Sequence, residues 1–468
     1  MIYNKNLKIA GRPLECIILI LLMLCTSSAN AQPTKEDSVA VKSIFSKSLD
    51  DQKGWENLRY LSKNIGARIN GSPQLQRAIE WAKAELSHMQ LEKVYLQPVM
   101  VPHWERGGKE YAAIHVKDST LSLSVCALGG SVATNGYLKA KVVEIKSWEE
   151  LKALSKKEVS GKYVFFNRAM DPTDAESFNA YLKAVDQRAI GAIEAAKKGA
   201  IGALIRSLTL SIHDYPHTGA MQYNDKVNKI PSAALSTNSA DLLSSLLKSS
   251  PDLEIGLKMT CATFPDTVSY NVIGEISGSQ YSDEIITVGA HIDSWDLSES
   301  ASDNGSGVVQ AIEAIRILSH MKTKPLRTIR AVIYTDEEQS ATGGLTYAEE
   351  AKRLKERHIA CIESDAGGFV PVGFRMSGDS AALASLKDMM GLFAPYNCSG
   401  IEHDPRGVDI APMREQAKAI ISLDCSDHRF FNIHHSALDT MDKLNKREIN
   451  LGTGAMTSLV YLISKYGL

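Results

Sequence analysis

Five side chains able to bind a metal ion fall in order along the second half of the 468-residue chain: His291, Asp303, Glu338, Asp365 and His435. A further acid, Glu337, directly precedes the third of them. Zinc takes imidazole nitrogen and carboxylate oxygen at about 2.0–2.2 Å, which accounts for the mixture of types. Two zinc ions sharing one carboxylate, with a free glutamate beside them, make an apparatus for hydrolysing peptide bonds. The metal pair activates water, and the glutamate carries its proton.

These residues need elements that hold them. Glu284 to Ala290 is a mainly apolar run of strand length that ends at His291, and Asp293 is placed to hold the second imidazole nitrogen. Asp303 precedes a helical pattern with Val308, Ala311, Ile312 and Ile315 on one face, so the helix N-terminus favours its charge. TIRAVIYT reads as a strand followed by DEEQ, where Glu337 and Glu338 point in different directions. HIACIESDAGG repeats the strand-then-acid arrangement and offers Asp365, and NIHHSALDT offers His435 four residues before Asp439. Each segment alone is commonplace, since a Glu-Glu pair or an HxD triplet is usually structural. Together, most candidates follow a strand or open a helix, where an open α/β sheet places its ligand.

Taken as a set, HIDSWD, SASDNGSG, YTDEEQ, IESDAGG and HHSALDT resemble the signature segments of the co-catalytic zinc exopeptidases related to bacterial leucyl aminopeptidase, in particular their carboxypeptidase Q branch. YPHTGAMQY and KIPSAALST resemble further segments of that branch, so the likeness runs through nearly all of the chain. It implies an α/β fold with a mixed central sheet flanked by helices and an inserted protease-associated domain. It implies two Zn2+ per subunit, with His291 and Asp365 on one ion, Glu338 and His435 on the other, and Asp303 bridging both. Glu337 would be the general base, and Asp293 would orient the first histidine. The family often has an acid after the bridging aspartate, where this chain has Asn304. The activity implied is hydrolysis of short peptides, with dipeptides free at both ends as the expected substrate and a broader aminopeptidase as the alternative. A glutaminyl-cyclase-like acyltransferase works with one zinc, and non-catalytic relatives have lost ligands or the base, so the full set here argues against both. A homodimer is implied by the resemblance only.

The expected organisation is a signal peptide over 1–31, the first part of the catalytic domain over 32–117, the inserted domain over 118–265 and the remaining catalytic domain over 266–468. Lys5, Lys8 and Arg12 precede the apolar CIILILLML, and Ala29-Asn30-Ala31 offers a cleavage site, so export to a periplasmic or secreted location is expected. Leu24 before Cys25 is large where a lipoprotein signal has a small residue, which argues against a lipid anchor. The inserted stretch reads as strands GKYVFFNR and GAIGALIRS around the helical AIGAIEAAKKG. Outside it, Ser72-Pro73 reads as a helix start, with Leu75, Ile79, Ala82 and Leu86 on the buried face.

Composition is ordinary for a soluble globular protein: 44% hydrophobic and 23% charged residues, with a net charge of −2. Without the leader's net +2 the charge is about −4, which argues against a nucleic-acid partner. The five cysteines after the leader (Cys126, Cys261, Cys361, Cys398 and Cys425) have no regular spacing and read as buried thiols. His213 and His217 have metal-like spacing, but the Asp-Tyr-Pro between them reads as a loop, and only the family resemblance suggests that the HTG segment faces substrate. His434 reads as a packing neighbour, His403 and His428 as structural or surface positions, and DPRGVDIAP as a rim of the site.

Overall fold

The structure, a computed structural model, describes residues 33–116 and 119–468. The expected leader, with Cys25, lies outside them. Helix α1 (Lys35–Asp50) starts at Thr34, whose hydroxyl accepts from the Asp37 N–H while the Asp37 carboxylate accepts from the Thr34 N–H. Helix α2 (Pro73–Ser87) starts at Ser72 with proline at its first turn, and Leu75, Ile79, Ala82 and Leu86 are all buried.

Strand β1 (Lys93–Glu105) follows. The chain then builds a separate sheet from β2 (Tyr111–Val116), β3 (Ser119–Leu123), β4 (Val125–Ala127), β5 (Leu138–Ile145), β6 (Tyr163–Phe166), β7 (Gly202–Arg206), β8 (Ser232–Leu235) and β9 (Glu254–Lys258). Their order is β3-β2-β9-β5-β6-β7-β8-β4. Helices α4 (Asp186–Lys197) and α5 (Thr237–Ser249) accompany it, while α3 (Ser177–Leu182), from the same stretch of chain, packs Phe178 and Tyr181 against Phe430 and Phe431 of the first unit. This sheet already includes Tyr111, ahead of the expected boundary at 118, because the alternating segment before 118 gives no sign of which sheet it joins. The boundary near 265 moves likewise, since the next strand, from Ala262, pairs with β1.

That strand, β10 (Ala262–Ile276), returns the chain to the first sheet. There follow β11 (Tyr281–His291), helix α6 (Gly307–Ser319), β12 (Arg327–Tyr334), helix α7 (Thr342–Leu354) and β13 (Arg357–Glu363). Then come β14 (Pro371–Gly378), helix α8 (Ser380–Met390), β15 (Gly400–Glu402), β16 (Ala417–Cys425) and the closing helix α9 (Lys446–Tyr466). The sheet order is β1-β10-β12-β11-β13-β16-β14-β15, with β12, β11, β13 and β16 parallel and antiparallel strands on both flanks. It is the mixed α/β sheet expected from the sequence.

Helix α6 is buried nearly all round rather than on one face, and this is why its pattern carries so little polarity. Each large aliphatic it hides contributes about 1.5–3 kcal/mol. Helices α1 and α9 close over it. Gly454 is required there, since a Cβ would come within 2.6 Å of the Phe45 ring. The five cysteines among the described residues are buried thiols.

The α1–α9 contact carries a charge pair. The fully buried Asp37 carboxylate accepts from Lys465 Nζ at 2.6 Å and from the Tyr466 hydroxyl. Burial raises its pKa, but these donors and Thr34 outweigh that and hold it at about 2. A depressed carboxylate pKa stabilises the fold above the unfolded value and ceases to do so as pH falls through the folded one. Lys465→Met is therefore expected to lower stability by about 1–3 kcal/mol at neutral pH. In urea titrations its difference from the native chain should shrink as pH falls from about 4 towards 2.

Candidate metal centre

The parallel strands deliver their C-terminal ends to one edge of the first sheet. In register, His291 of β11 pairs with Tyr334 of β12, and Gly289 of β11 with Glu363 of β13. Glu337, Glu338 and Asp365 leave the strand ends within a few residues of those pairs. Asp303 comes from the irregular turn before α6, and His435 from a loop where it adopts a φ of 59°.

The two oxygens of Asp303 face different partners. Oδ1 lies 3.4 Å from His291 Nε2, which is itself 3.2 Å from Asp365 Oδ1. Oδ2 lies 3.2 Å from His435 Nε2, which is 3.0 Å from Glu338 Oε2. All five side chains named from the sequence therefore meet, as two donor pairs on either side of one carboxylate. His434 joins the second group more distantly, with Nε2 at 3.6 Å from Asp303 Oδ2 and its ring stacked on His435.

Buried charge makes the arrangement costly without a cation. Burial and neighbouring acids push Glu337, Glu338 and Asp365 above the usual carboxylate range, although the histidines partly offset this. Asp303 is held well below it, because hydrogen bonds from His291 and His435 outweigh its burial. Glu338 Oε1 and His435 Nδ1 are buried without hydrogen-bond partners. Clustered carboxylates, two imidazoles and an orphaned carboxylate oxygen fit divalent cations of the zinc type.

The supporting contacts differ partly from the sequence reading. The closest approach to His291 Nδ1 is the Asp293 backbone carbonyl at 3.1 Å, and the Asp293 carboxylate is farther, at 3.7 Å. That carboxylate accepts from the Glu337 and Glu338 N–H groups at 3.1 Å each, so it positions the general-base candidate as well as a ligand. Asn304 donates to the Ser364 carbonyl and accepts from the Gly307 N–H. It thereby links the turn of Asp303 to the segment of Asp365, and an aspartate could not make the first of these bonds.

Four further residues support the centre, and of these only Arg68 lies outside the segments singled out in the sequence. Asp439 accepts from the N–H groups of Ser302 and Asp303 at 2.7 and 2.9 Å. The fully buried Arg68 donates to the carbonyls of Ile292, Gly66 and Ser300, tying together the loops of His291 and Asp303. Within HIDSWD, Trp295 and Asp296 also reach the second unit: Trp295 packs edge-on against His435 and against Gly129, where a Cβ would come within 1.8 Å of its ring, and Asp296 pairs with Arg106 at 2.6 Å.

A cavity of about 540 Å³ opens on this centre, lined by Asp303, Glu337, Glu338, Asp365 and His435. Phe178, Tyr181 and Arg188 of the second unit close one side, and Asp404 and Arg406 of the DPRGVDIAP segment another. The HTG loop touches the centre through the Thr218 N–H, which donates to the His435 carbonyl. His213 and His217 stack together, 3.4 Å apart at Nε2, away from the acids. His403 and His428 are exposed.

The sequence profile described as "Peptidase family M28" matches residues 271–459, the stretch that carries every one of these donors. Carboxypeptidase Q of Mus musculus is 33% identical over 414 residues, covering 88% of this chain and 86% of that protein. The chain belongs to peptidase family M28. It is a metallo-exopeptidase that acts on peptides. Carboxypeptidase Q of Xenopus laevis is 35% identical over the same share of the chain. The crystal structure of a peptidase M28 precursor from Shewanella amazonensis superposes with a TM-score of 0.87 at 31% identity, covering 92% of this chain and 96% of that one. The zinc aminopeptidase of Bacillus subtilis, at 20% identity and a TM-score of 0.63, shares the fold. Among the described residues no helix is long and apolar enough to cross a membrane.

Asp439→Asn tests the support of Asp303, because an amide can accept only one of the two N–H groups and sets its own donors against the other. Zinc affinity, followed by metal content after dialysis against graded chelator, is expected to fall about 10–100-fold.

Proposed function

We propose that this metallo-exopeptidase is a two-zinc dipeptidase of the carboxypeptidase Q type. Asp303, with His291 and Asp365 on one side and Glu338 and His435 on the other, would hold the ions. The observation that carries this reading is the separation of the two Asp303 oxygens, each facing its own histidine–carboxylate pair. His434 stays outside the ligand set, packed edge-on against Tyr181 and Phe431.

When bound, the zinc pair supplies Lewis-acid activation of water and stabilises the negative charge that develops on the scissile carbonyl oxygen. The chain supplies the rest. Glu337, its backbone held by Asp293, takes a proton from the attacking water onto its carboxylate and passes it to the departing amine nitrogen. Asp293 also fixes the Glu338 N–H, so base and ligand keep their divergent directions.

The size of the cavity and its walls support a short substrate. A space of about 540 Å³ roofed by Phe178, Tyr181 and Arg188 excludes a folded protein but admits a dipeptide. On this reading the unit built from β2–β9 is the protease-associated domain, serving as the roof. Export of the chain is part of the proposal and rests on the leader pattern in the sequence.

The experiment compares zinc-loaded protein on alanyl-alanine, its C-terminal amide and its N-acetyl derivative. Cleavage of the free dipeptide far faster than of either derivative is expected. Cleavage that survives amidation but not acetylation would replace the dipeptidase by an aminopeptidase. Glu337→Gln should retain zinc while its turnover falls about 10²–10⁴-fold, and persistence of full activity would remove Glu337 as the base.

A further inference from the structure

Three arginines line the cavity beside the metal centre: Arg188, Arg375 and Arg406. Two of them have acidic partners, Arg406 with Glu176 at 2.9 Å and Arg375 with Asp424 at 3.7 Å. Arg188 has no acidic side chain within 4 Å among the described residues. Its Nη2 donates to the Tyr181 hydroxyl at 2.8 Å, and Nη1 reaches the Thr218 carbonyl only at 3.5 Å. Its Nε is buried without a partner. A guanidinium stays charged at any accessible pH and has five donors in a planar fork, so this one is left under-used and without a counter-charge.

The position is built, not incidental. Arg188 sits in helix α4, and its side chain lies over the Tyr181 ring at 5.5 Å. Tyr181 stacks on Phe431 and packs edge-on against His434, beside the ligand loop. On the opposite side lies Gly219 of the HTG loop, with a φ of 138°, where a Cβ would come within 2.4 Å of Arg188 Nη1. The neighbouring Thr218 N–H donates to His435. An aromatic face, a missing side chain and the ligand loop thus hold one unpaired cation in the cavity that contains Glu337. None of the steps above uses it.

We infer that Arg188 is the residue that reads the free C-terminal carboxylate of the peptide, and so sets the length of substrate the enzyme accepts. The inference rests on the peptidase reading of the same cavity. In a dipeptide the terminal carboxylate lies only a few bonds beyond the scissile nitrogen, so a cation beside the metal centre meets it when the scissile carbonyl faces the metals. Planar guanidinium and carboxylate match in a two-bond pairing that an amide cannot reproduce. A longer peptide would present a neutral amide there and leave the guanidinium uncompensated. Arg188 therefore acts on specificity by contact with substrate, and it comes from the second unit, so the roof takes part in recognition.

The test uses the full zinc-loaded chain with alanyl-alanine and alanyl-alaninamide. Native protein should favour the free acid, and Arg188→Met should lose about 10²–10³-fold in kcat/KM on the free acid with little change on the amide. Arg188→Lys, which keeps the charge but not the fork, should recover part of the preference. Calorimetric binding of both probes to Glu337→Gln protein, with and without Arg188→Met, gives a readout independent of turnover. Zinc content and thermal melting of each variant report whether the fold is intact. Equal losses on both probes, or a free-acid preference that survives in Arg188→Met, would overturn the inference while leaving a cleaving native enzyme a peptidase. Binding preference lost with Arg188 in a native protein that cleaves neither probe would uphold the inference and overturn the dipeptidase reading.

Discussion

The structure is organised around one electrostatic constraint: a group of carboxylates has to be kept close together and out of water. Asp293, Asp303, Glu338, Glu363, Asp409 and Asp439 are all buried at one edge of the first sheet. Burial and mutual repulsion push Glu363 up to about 8 and Asp409 well above its usual value. Such a cluster would disperse if it hung on loops alone. It is held because Asp293, Glu338 and Glu363 sit at or just past the ends of parallel strands whose register is set by hydrogen-bonded ladders, and the turns of Asp303, Asp409 and Asp439 are tied to these acids and to one another by backbone N–H donors. Cations held between them would turn the repulsion into attraction, so that metal binding and folding are linked.

Backbone N–H groups and one arginine supply the rest of the compensation. Asp293 and Asp439 each take two N–H groups from the turns they hold. Arg68 contributes positive charge without pairing to any of the acids, since its donors go to main-chain carbonyls. Burial lowers its pKa to about 10, with Asp439, Asp293 and Asp303 opposing that shift, and the guanidinium stays charged at neutral pH. It therefore serves as a fixed counter-charge that leaves the carboxylate oxygens free for metal.

The second unit is joined to this centre at chemically significant points. Trp295 and Asp296 follow directly on the metal-site residues His291 and Asp293, and they lock against Gly129 and Arg106. The HTG loop reaches back to the His435 carbonyl. A displacement of the second unit would therefore be transmitted to both donor pairs. The cavity formed between the two units joins substrate selection to the geometry of the centre, with aromatic and cationic side chains from one unit and acids from the other.

Much of this was legible in the chain. The runs before His291, Glu337 and Asp365 are strands because they are β-branched and apolar, and the residue types in order, with the resemblance of their segments, put forward a metal-binding set. Those are local properties, and periodicity and ligand chemistry suffice to read them. Other features depend on partners remote in sequence. Nothing in the neighbourhood of Arg68 indicates that it spans the carbonyls of Ile292 and Ser300, more than two hundred residues away. The division of labour within HIDSWD, the all-round burial of α6 and the entry of Tyr111 into the second sheet are likewise settled only by what packs against them. Sequence by itself determined which side chains can bind metal and which elements carry them, because those follow from local chemistry and period. Tertiary structure alone decided that the two oxygens of Asp303 face separate partners and that Arg188 is left without a counter-charge, because facing and pairing exist only once distant segments share one space.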